Sequence, residues 1–324
     1  MIGRRTVWSD NRLIELAKKF VVCTDEVWRL EKGSDPDCIF FQAIARQGHY
    51  PNEDTPSKQG IYVVSANGKF LSSINSNDPD AVIATLEKGL KLFESLDESE
   101  KKIQDPDKVK PKNRPEDSQP TDGLILAVYS RDLPTDLNPK SKKASRWNRD
   151  TAWFSKSEMQ SLIPDDAKPG TKFTLPNVFA LRMVRHHLVD MINGQTDSFE
   201  ESEVVNSKLS AVVKRVTDDE IEFELLGATQ TDSNSSRYRR KPRGIVTSLV
   251  GTAVYSKSKL RFSKFEMTAV GYRWGRTAFN GRRRGPKTNP VGFVIELAPA
   301  DEHANVPGLF YDYEVDWKSH SDSE

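Results

Sequence analysis

The segment EIEFELLGAT, residues 220–229, alternates glutamate with Ile221, Phe223 and Leu225. Because successive side chains of a β-strand point to opposite faces, these apolar residues share one face and the glutamates share the other. The preceding segment SKLSAVVKRV is also strand-like, and the short polar turn TDD separates the two. Two such strands predict an antiparallel hairpin with one buried face and one solvated face.

The strand pattern continues toward the carboxyl terminus. Three more strand-like segments follow, namely GIVTSLVGTAVYS (244–256), KLRFSKFEMTAVGYRW (259–274) and PVGFVIELA (290–298). The first two flank a short polar turn around residues 256–258. Sequential strands joined by short polar turns predict an antiparallel meander.

Upstream of the meander the pattern is mixed. DGLILAVYSRDL (122–133) is strand-like, whereas NRDTAWFSKSEMQSLIP (148–164) and PNVFALRMVRHHLVDMIN (176–193) are predicted helices. We therefore predict an α+β domain built on a curved antiparallel sheet or partial barrel, with its helices at one end or across one face.

Residues 98–122 differ in composition from the regions on either side. They are dense in charge and have only isolated aliphatic residues. Their prolines are Pro106, Pro111, Pro115 and Pro120. Such a stretch buries too little apolar surface to offset its ordering entropy, so we interpret it as a linker. The predicted domains are residues 1–97 and 123–317, followed by a disordered tail over 318–324.

The region before the predicted linker contains three helical patterns. In DPDCIFFQAIARQG (35–48), Asp35 is a predicted N-cap, Pro36 takes the first helical position and Gly48 ends the helix. DPDAVIATLEKGLKLFESL (78–96) repeats the Asp-Pro opening. DNRLIELAKKF (10–20) has apolar residues at helical spacing, which predicts a third helix.

Strand patterns alternate with these helices. FVVCTDEVW (20–28) is a predicted strand, and GIYVVSANGKFLSSI (60–74) is a predicted hairpin around Asn67-Gly68. The resulting order of helix, strand, helix, hairpin and helix resembles the thioredoxin fold. The run DEVWRL, DPDCIFFQ, GHY and QGIYVVSANGKFLSSIN is similar to the N-terminal part of uncharacterised bacterial two-domain proteins with a thioredoxin-like half. The resemblance implies an α/β thioredoxin-like N-terminal domain and no particular activity.

This sequence departs from the thioredoxin pattern in three places. It has no Cys-x-x-Cys, and Gln59-Gly60 stands where that fold usually has a cis-proline before the hairpin. The intervening HYPNEDTPSK offers no apolar run for a further strand. The first two departures remove the usual thiol exchange chemistry.

Cys38 is nevertheless a candidate nucleophile, with Cys23 or an external thiol as its partner. A thiol in the first turn of a helix meets unpaired backbone N–H groups and the positive end of the dipole, which favour thiolate. Asp35 and Asp37 oppose this effect, and the apolar residues after Cys38 are typical of a buried structural cysteine. His49 follows the helix and is a candidate base, although a polar loop residue is the simpler interpretation.

Composition limits the remaining functions. The chain of 324 residues has a net charge of +1 and a mean hydropathy of -0.63, so no overall field attracts nucleic acid or an anionic membrane. No apolar run approaches the roughly 20 residues of a membrane span, and the start has no apolar signal region. We expect a cytoplasmic protein without a cofactor.

Two further sets of residues deserve a functional test. His186 and Asp190 are predicted to lie one turn apart on the solvated side of a helix whose buried stripe includes Val184 and Leu188, so we expect no metal site. The runs RYRRKPR and RWGRTAFNGRRRGPK have the composition of polyanion-binding segments. Solvated loops are the simpler interpretation, and we do not expect nucleic acid as a partner.

Tyr272 and Trp274 are candidate ligand-binding residues. Alternation places them on one face of a strand and Arg273 on the other. Next to HHLVDMIN, such a pair would form the floor of a pocket or close the mouth of a partial barrel. The simpler interpretation is that both rings seal the core against the helices, as large aromatic residues at strand ends most often do. The sequence therefore favours a non-catalytic protein that binds a small molecule or another protein. The alternative is a thiol-dependent oxidoreductase that uses Cys38.

Overall fold

The computed structural model of the protein describes residues 7–50, 57–103, 115–133, 147–194, 196–233, 242–282, 288–299 and 306–313. The chain divides into two compact units, Gly3–Lys112 and Asn113–Glu324. The boundary between the units falls inside residues 98–122, the stretch predicted as a linker. The predicted tail, 318–324, lies outside the described residues.

The first unit combines helices with one antiparallel hairpin. Its helices are α1 (Asn11–Ala17), α2 (Val27–Lys32), α3 (Pro36–Ala45), α4 (Pro79–Glu94) and α5 (Glu98–Lys101), and its strands are β1 (Ile61–Val64) and β2 (Phe70–Ile74). Both Asp-Pro helix openings are confirmed, because Asp35 accepts a hydrogen bond from the backbone N–H of Cys38 and Asp78 accepts one from Asp80. Helix α5 occupies the first residues of the predicted linker.

The core of the first unit forms where α4 packs on the hairpin. Val82 and Leu86 of α4 are buried together with Val63 and Leu71 of the two strands. Gly89 permits close approach, since a Cβ at this position would come within 2.6 Å of Val63. The predicted hairpin and closing helix are therefore confirmed as a packed unit.

The strand predicted over residues 20–28 is wrong. Residues 21–26 have no regular structure, and α2 begins at Val27. Val21 is 93% exposed. The valines favour a strand only where a neighbouring strand supplies hydrogen bonds and packing surface, and β1 and β2 pair with each other. The central strand that the thioredoxin resemblance implies is thus not formed by this segment.

The second unit contains an eight-stranded antiparallel sheet. Its strands are β3 (Leu124–Asp132), β4 (Trp147–Phe154), β5 (Lys172–Thr174), β6 (Val204–Val216), β7 (Glu220–Ser233), β8 (Arg243–Ser256), β9 (Arg261–Gly275) and β10 (Thr288–Leu297). The order across the sheet is β4-β3-β10-β9-β8-β7-β6-β5, so β4 and β5 are the edges in the described part of the chain. The predicted antiparallel sheet domain is confirmed, and its sheet is not closed.

One face of the sheet packs on short helices. These are α6 (Lys156–Gln160) and α7 (Asn177–Arg182), and α7 continues as a π-helical turn, Met183–His187. Phe179 of α7 contacts Phe154 of β4 and Phe265 of β9, with ring centroids 4.7 and 6.0 Å apart. We call this face of the sheet the inner face and the opposite one the outer face.

The alternation predicted for β7 is confirmed. Ile221, Phe223 and Leu225 are buried in the core of the inner face. The intervening glutamates pair with basic residues of β6 on the outer face, including Glu222 with Arg215 at 3.1 Å. The alternation of apolar and charged residues therefore identified both the strand and its solvent-exposed face.

The helix predicted over residues 148–164 is wrong in its first part, which is a strand. β4 occupies Trp147–Phe154 and pairs with β3. Helix α6 starts only after Ser155, whose side chain and that of Glu158 form a capping box. Segment 147–154 lacks the strict alternation of β7 because both of its faces are largely covered.

The solvated face predicted for the helix over 176–193 is also wrong. The helical segment ends at His187, and His186 and Asp190 are both buried. The wider π-helical turn changes the angle per residue, and the chain then leaves the helix at Leu188. A fixed rotation of 100° therefore assigns the wrong faces beyond Arg182. Among the described residues, no helix meets the length and hydropathy needed to cross a membrane.

Candidate functional site

Three connections of the second unit leave the sheet at the same end. β3, β7 and β9 finish there, and β4, β8 and β10 begin there. The register at this end pairs Ser233 with Arg243, Arg243 with Gly275, Trp274 with Thr288, Val291 with Asp132, and Arg131 with Trp147. We call this region the loop end of the sheet.

A buried ion cluster lies beneath the loop end. Arg282 donates to the two oxygens of Asp132 at 2.6 and 2.9 Å, and to those of Asp190 at 2.8 and 2.6 Å. Asp132 ends β3, Asp190 follows the helical segment, and Arg282 lies in the connection between β9 and β10. The cluster therefore fastens three separate parts of the chain together.

Asp132 and Arg282 each stabilise the charged form of the other. Burial alone would raise the pKa of Asp132, but the hydrogen bonds and positive charge of Arg282 hold that pKa below its ordinary value. Burial alone would lower the pKa of Arg282. The hydrogen bonds and negative charges of Asp190 and Asp132 outweigh the effect of burial and raise the pKa of the guanidinium. Removing one member of such a group leaves an uncompensated buried charge.

Arg273 of β9 points into the same cluster. It is only 1% exposed, and its Nε lies 3.8 Å from an oxygen of Asp190. Its Nη1 donates to the carbonyl of Gly275 at 3.2 Å. Burial, and then the neighbouring charge of Arg282, lower the pKa of Arg273. The inner face of the loop end therefore holds two guanidinium groups.

A third arginine fastens the segment that follows the helix. Arg243 of β8 donates to the hydroxyl of Thr196 at 2.9 Å and to the carbonyl of Ser198 at 2.9 Å. Its guanidinium also lies 4.0 Å from the ring centroid of Phe199. These contacts make the inner side of the loop end a tightly connected base for the outer side.

The outer face of the loop end exposes aromatic side chains. Tyr272 of β9 is 56% exposed on this face. Phe279, in the connection between β9 and β10, is 75% exposed, and its backbone carbonyl lies close to Gly194 of the segment that follows the helix. Trp274 lies over Gly244 of β8, where a Cβ would come within 2.1 Å of its ring. Exposed aliphatic side chains continue this surface along the sheet, namely Leu226, Val246, Val250, Val270 and Val294. Exposed apolar groups that cluster in this way often mark an interaction site.

Basic side chains and further rings lie on the outer face toward the edge strand β4. Arg131 of β3 is exposed and pairs in register with Trp147 at the start of β4. Trp147 contacts Tyr129, with ring centroids 5.9 Å apart, and the guanidinium of Arg149 lies 5.7 Å from the Tyr129 ring centroid. The outer face thus presents both rings and positive charge from β9 to the edge strand β4.

The predicted pair of Tyr272 and Trp274 does share one face of β9. The expected neighbourhood was wrong, however, because the segment around His186 and Asp190 lies on the inner face, where Arg273 contacts it. Alternation shows which residues of a strand share a face. Which of the two faces is turned to the core depends on the burial of the other residues of the strand. A ligand-binding role for Tyr272 and Trp274 stays a prediction, now for the outer face.

A second polar cluster lies near the edge strand β4. His187 Nδ1 is 2.9 Å from Asp150 Oδ2, and His187 Nε2 is 2.5 Å from the Tyr313 hydroxyl. The Tyr313 hydroxyl also accepts from the backbone N–H of Trp153 at 3.3 Å, and Asp150 accepts from the backbone N–H of Gly308 at 2.7 Å. Burial raises the pKa of Tyr313 well above its ordinary value. The cluster attaches the C-terminal segment to the sheet.

His186 belongs to a parallel set of contacts. Its Nδ1 is 2.8 Å from the Ser198 hydroxyl, which in turn donates to Asp312 at 2.6 Å. Burial, followed by the charges of His187 and Arg185, lowers the pKa of His186 to about 3. Sequence reasoning missed both histidine clusters, because their members lie up to 126 residues apart and share no motif.

Cys38 occupies the predicted position in the first turn of α3 and is buried. Its thiol donates to Asp35 at 3.0 Å, and an Nη1 of Arg29 lies 3.4 Å from its sulfur. Burial, and then the hydrogen bond to Asp35, raise the pKa of Cys38 despite the opposing charge of Arg29. These surroundings favour the neutral thiol over the thiolate.

The other predicted members of the thiol site have different surroundings. Cys23 is exposed, and both cysteines are free thiols. His49 contacts Ser73 at 2.9 Å and stacks on Tyr62 with ring centroids 5.1 Å apart. The partners of the Cys38 thiol are Arg29 and Asp35, so the structure does not bring His49 to it as a base.

The described part of the chain contains no group of three or more His, Cys, Asp or Glu side chains arranged to hold a metal ion. Comparison of the whole chain with family models, with curated proteins and with solved structures found no match. The function is therefore argued from the chain's own geometry.

Proposed function

We propose that the protein acts by non-catalytic binding, and that the outer face of the loop end carries its binding surface. The observation that carries this proposal is the exposure of Tyr272 on the outer face and of Phe279 in the connection that follows β9, above a base held by buried ion pairs. Aromatic residues and arginine are enriched in binding interfaces and form many of their hot spots. A rigid base keeps such residues in place before the partner arrives.

The polar side chains that resemble catalytic groups support the same proposal. His187 is enclosed by Asp150 and Tyr313, and all three residues are buried. A general base has to come within hydrogen-bond reach of a substrate proton. In this cluster each nitrogen of the His187 ring already has a partner from the chain itself, which suits a structural role.

In this proposal the first unit is a degenerate thioredoxin-like module. The order of α3, the hairpin and α4 supports that interpretation, and the unpaired segment over residues 21–26 speaks against a complete fold. The alternative function, a thiol-dependent oxidoreductase, requires an accessible thiolate at Cys38. The burial of Cys38 and its hydrogen bond to Asp35 weigh against that chemistry.

A disulfide-reduction assay tests the catalytic alternative. The wild-type protein and Cys38→Ser are compared with oxidised glutathione and with a disulfide-bonded peptide as substrates. We expect neither protein to turn over either substrate, because the Cys38 thiol is buried and its pKa is raised. Turnover that disappears in Cys38→Ser would replace the binding proposal with an oxidoreductase.

A panel of probes tests the binding surface. The full chain is titrated with a single-stranded oligonucleotide, a duplex, heparin, an acidic peptide and vesicles containing phosphatidylserine. We expect at least one probe to bind and the Tyr272→Ala/Phe279→Ala variant to weaken it about tenfold. Phe40→Ala, which removes an exposed ring from α3, is the matched control. If no probe depends on the loop end, the proposed binding surface is wrong.

A further inference from the structure

We infer that the middle of the sheet's outer face is the interface of a homodimer, in which this face packs on the same face of a second copy of the chain. The inference concerns the six strands from β6 to β3 in the order of the sheet, and it does not depend on the binding proposed for the loop end. It rests on the strand register, which places the residues involved on one surface.

The register defines a row of residues across the middle of the outer face. Register partners in neighbouring antiparallel strands lie side by side on the same face of a sheet. From β6 to β3 these partners are, in order, Ser210, Leu226, Val250, Thr268, Val294 and Tyr129. We call them the central row. Val250 is 60% exposed, and Leu226 and Val294 are also exposed, so the centre of the outer face presents apolar groups to water.

An apolar centre is unusual for a sheet face in contact with water. Antiparallel sheets with one solvated face normally place polar residues on that face. The outer residues of β7 follow this pattern at Glu222 and Glu224 and depart from it at Leu226 and Ala228. Val270, which lies beside the central row, is exposed as well. Contiguous apolar groups on a surface often mark a protein interface.

Charged residues lie in the rows on either side of the central row. One of these rows contains Glu224, Glu266 and Glu296, and we call it the acidic row. The other contains Lys208 on β6 and Arg131 on β3, and we call it the basic row. Each row lies two residues along the strands from the central row, in opposite directions. Opposite charges are therefore arranged about an apolar middle.

This arrangement is complementary to itself. A twofold axis along the central row, between two facing copies, places the acidic row of each copy over the basic row of the other. Arg131 of one copy then lies over Ala127 and Glu296 of the other, which are register partners. Lys208 likewise comes beside Glu224 of the other copy. Facing sheets lie about 10 Å apart, a distance that long charged side chains bridge from both sides.

Arg131 and Glu296 provide the most specific test of this arrangement. Two of the three glutamates of the acidic row already have lysine partners in the same copy, at 3.3 and 3.0 Å. Glu296 lies opposite Ala127, whereas Arg131 is further along β3 by four residues, or roughly 14 Å. The two side chains are too far apart to pair within one copy. An interaction between Arg131 and Glu296 therefore reports on two copies.

Other partners fit this surface less well. Small ligands occupy concave sites, whereas the three rows cover a broad part of an open sheet. An anionic membrane would be repelled by the glutamates of the acidic row. The three rows span roughly 20 Å along the strands and 24 Å across them, or about 500 Å² per copy, which is less than the roughly 800 Å² of a standard interface. We therefore expect a weak dimer with a dissociation constant in the micromolar range.

Sedimentation velocity with the full chain, from about 1 to about 200 µM, tests the inference over concentrations that bracket this affinity. We expect the mass to rise from the 36.6 kDa of one chain toward twice this value. Val250→Glu should weaken association by more than about tenfold, because position 250 lies on the proposed axis and two carboxylates would meet there. Val178→Glu, at an exposed valine of α7, is the matched control and should leave association unchanged.

An exchange of charges tests which residues meet. Arg131→Glu and Glu296→Arg should each weaken association by about tenfold, because each brings like charges together at both symmetric contacts. A mixture of these two variants, with one of them labelled, should regain the affinity of the wild type, since both contacts of the mixed dimer again join opposite charges. A mixture of Arg131→Glu with the wild type keeps one unfavourable contact and should regain less. Circular dichroism and thermal melting show whether each variant is folded, and the charge variants decide the test if Val250→Glu does not fold.

Three results would overturn the inference. One is a monomer at every concentration up to about 200 µM. Another is a dimer that Val250→Glu leaves intact, which would place the interface elsewhere. A third is a mixture of the two charge variants that associates no better than either variant alone. Probe binding by the loop end is tested separately, because Val250→Glu should bind the probes as the wild type does even where it no longer dimerises.

Discussion

Tyr272 and Arg273 are neighbours on β9 with reversed environments. Tyr272 is 56% exposed on the outer face, whereas Arg273 is 1% exposed on the inner face. Charged side chains are almost never fully buried unless they are paired, and large aromatic ones usually lie in the interior. At these two positions the buried residue is therefore the charged one and the exposed residue is the aromatic one.

The reversal shows what each face contributes. Arg273 tolerates burial because Asp190 and the carbonyl of Gly275 lie beside its guanidinium. Tyr272 leaves more than half of its surface in water, so folding alone gains little from the aromatic ring at this position. The inner face of the loop end stabilises the sheet, and the proposed binding function explains the rings of the outer face.

The largest expected effect comes from breaking the inner face. Asp190→Ala leaves Arg282 with one carboxylate and Arg273 without its nearest charge partner. We expect the free energy of unfolding, measured by chemical denaturation, to fall by about 3–5 kcal/mol. Asp166→Ala, which removes an exposed partner of Lys168, should change it by less than about 1 kcal/mol. Similar values for the two variants would contradict the stabilising role of the inner face.

Acid should weaken the inner face through His186. Its pKa of about 3 in the folded protein lies below the ordinary value of 6.5, so the unfolded chain binds a proton that the folded chain does not. Stability from this group is complete above about pH 6.5 and is lost as the pH falls toward 3. Linkage predicts a loss of about 2 kcal/mol between roughly pH 6.5 and 4.5.

Denaturation across this pH range measures the effect. In His186→Asn, the loss of stability that comes from protonation of residue 186 should disappear, because asparagine does not titrate in this pH range. If the wild-type protein has the same free energy of unfolding at both ends of this pH range, His186 is not buried in its neutral form.

A smaller loss of stability is expected from a change in Tyr313, which attaches the C-terminal segment to the sheet. Tyr313→Phe removes the hydroxyl that contacts His187 and accepts from the backbone of Trp153. We expect a loss of about 1–2 kcal/mol in the free energy of unfolding, because buried polar groups lose their partner. Tyr311→Phe, the same change at an exposed position, should stay within about 0.5 kcal/mol of wild type. Equal effects of the two changes would indicate that the segment is not packed as described.

The smallest effect on stability is expected on the outer face. Tyr272→Ala should change the free energy of unfolding by no more than about 0.5 kcal/mol, because most of the ring is already in water. Trp274→Ala should cost about 1 kcal/mol, since its ring covers Gly244. A loss of several kcal/mol in Tyr272→Ala would show that the ring is buried in solution, and the binding surface would then be withdrawn.

Much of the sheet, and the hairpin and two helices of the first unit, could be predicted because their signals are local. The alternation in β7, the Asn67-Gly68 turn and the Asp-Pro helix openings each depend on residues a few positions apart. β4 was mistaken for a helix because the helices cover one of its faces and the C-terminal segment covers Trp153 on the other, which removes the alternation. The strand predicted over residues 20–28 failed for the opposite reason, because it has a suitable sequence but does not join β1 or β2.

The candidate site was only partly visible in the sequence. Tyr272, Trp274 and Phe279 were recognised by residue type, and their basic neighbours were recognised as charged runs. The ion cluster of Asp132, Asp190 and Arg282 was not recognised, because it joins residues up to 150 positions apart. Such distances carry no periodic signal.

The sequence by itself determined which segments become strands of the meander, where their turns fall and which side chains of each strand share a face. These properties depend on the two-residue period of a strand and on the chemistry of short turns. Only the tertiary structure decided that β10 pairs with β3, which brings the β3–β4 connection to the end of the sheet where the β7–β8 and β9–β10 connections also lie. The packing of the inner face likewise decided that Arg273 is buried and Tyr272 is exposed. Pairing between distant strands is selected by the burial of the whole inner face, and no single segment contains that information.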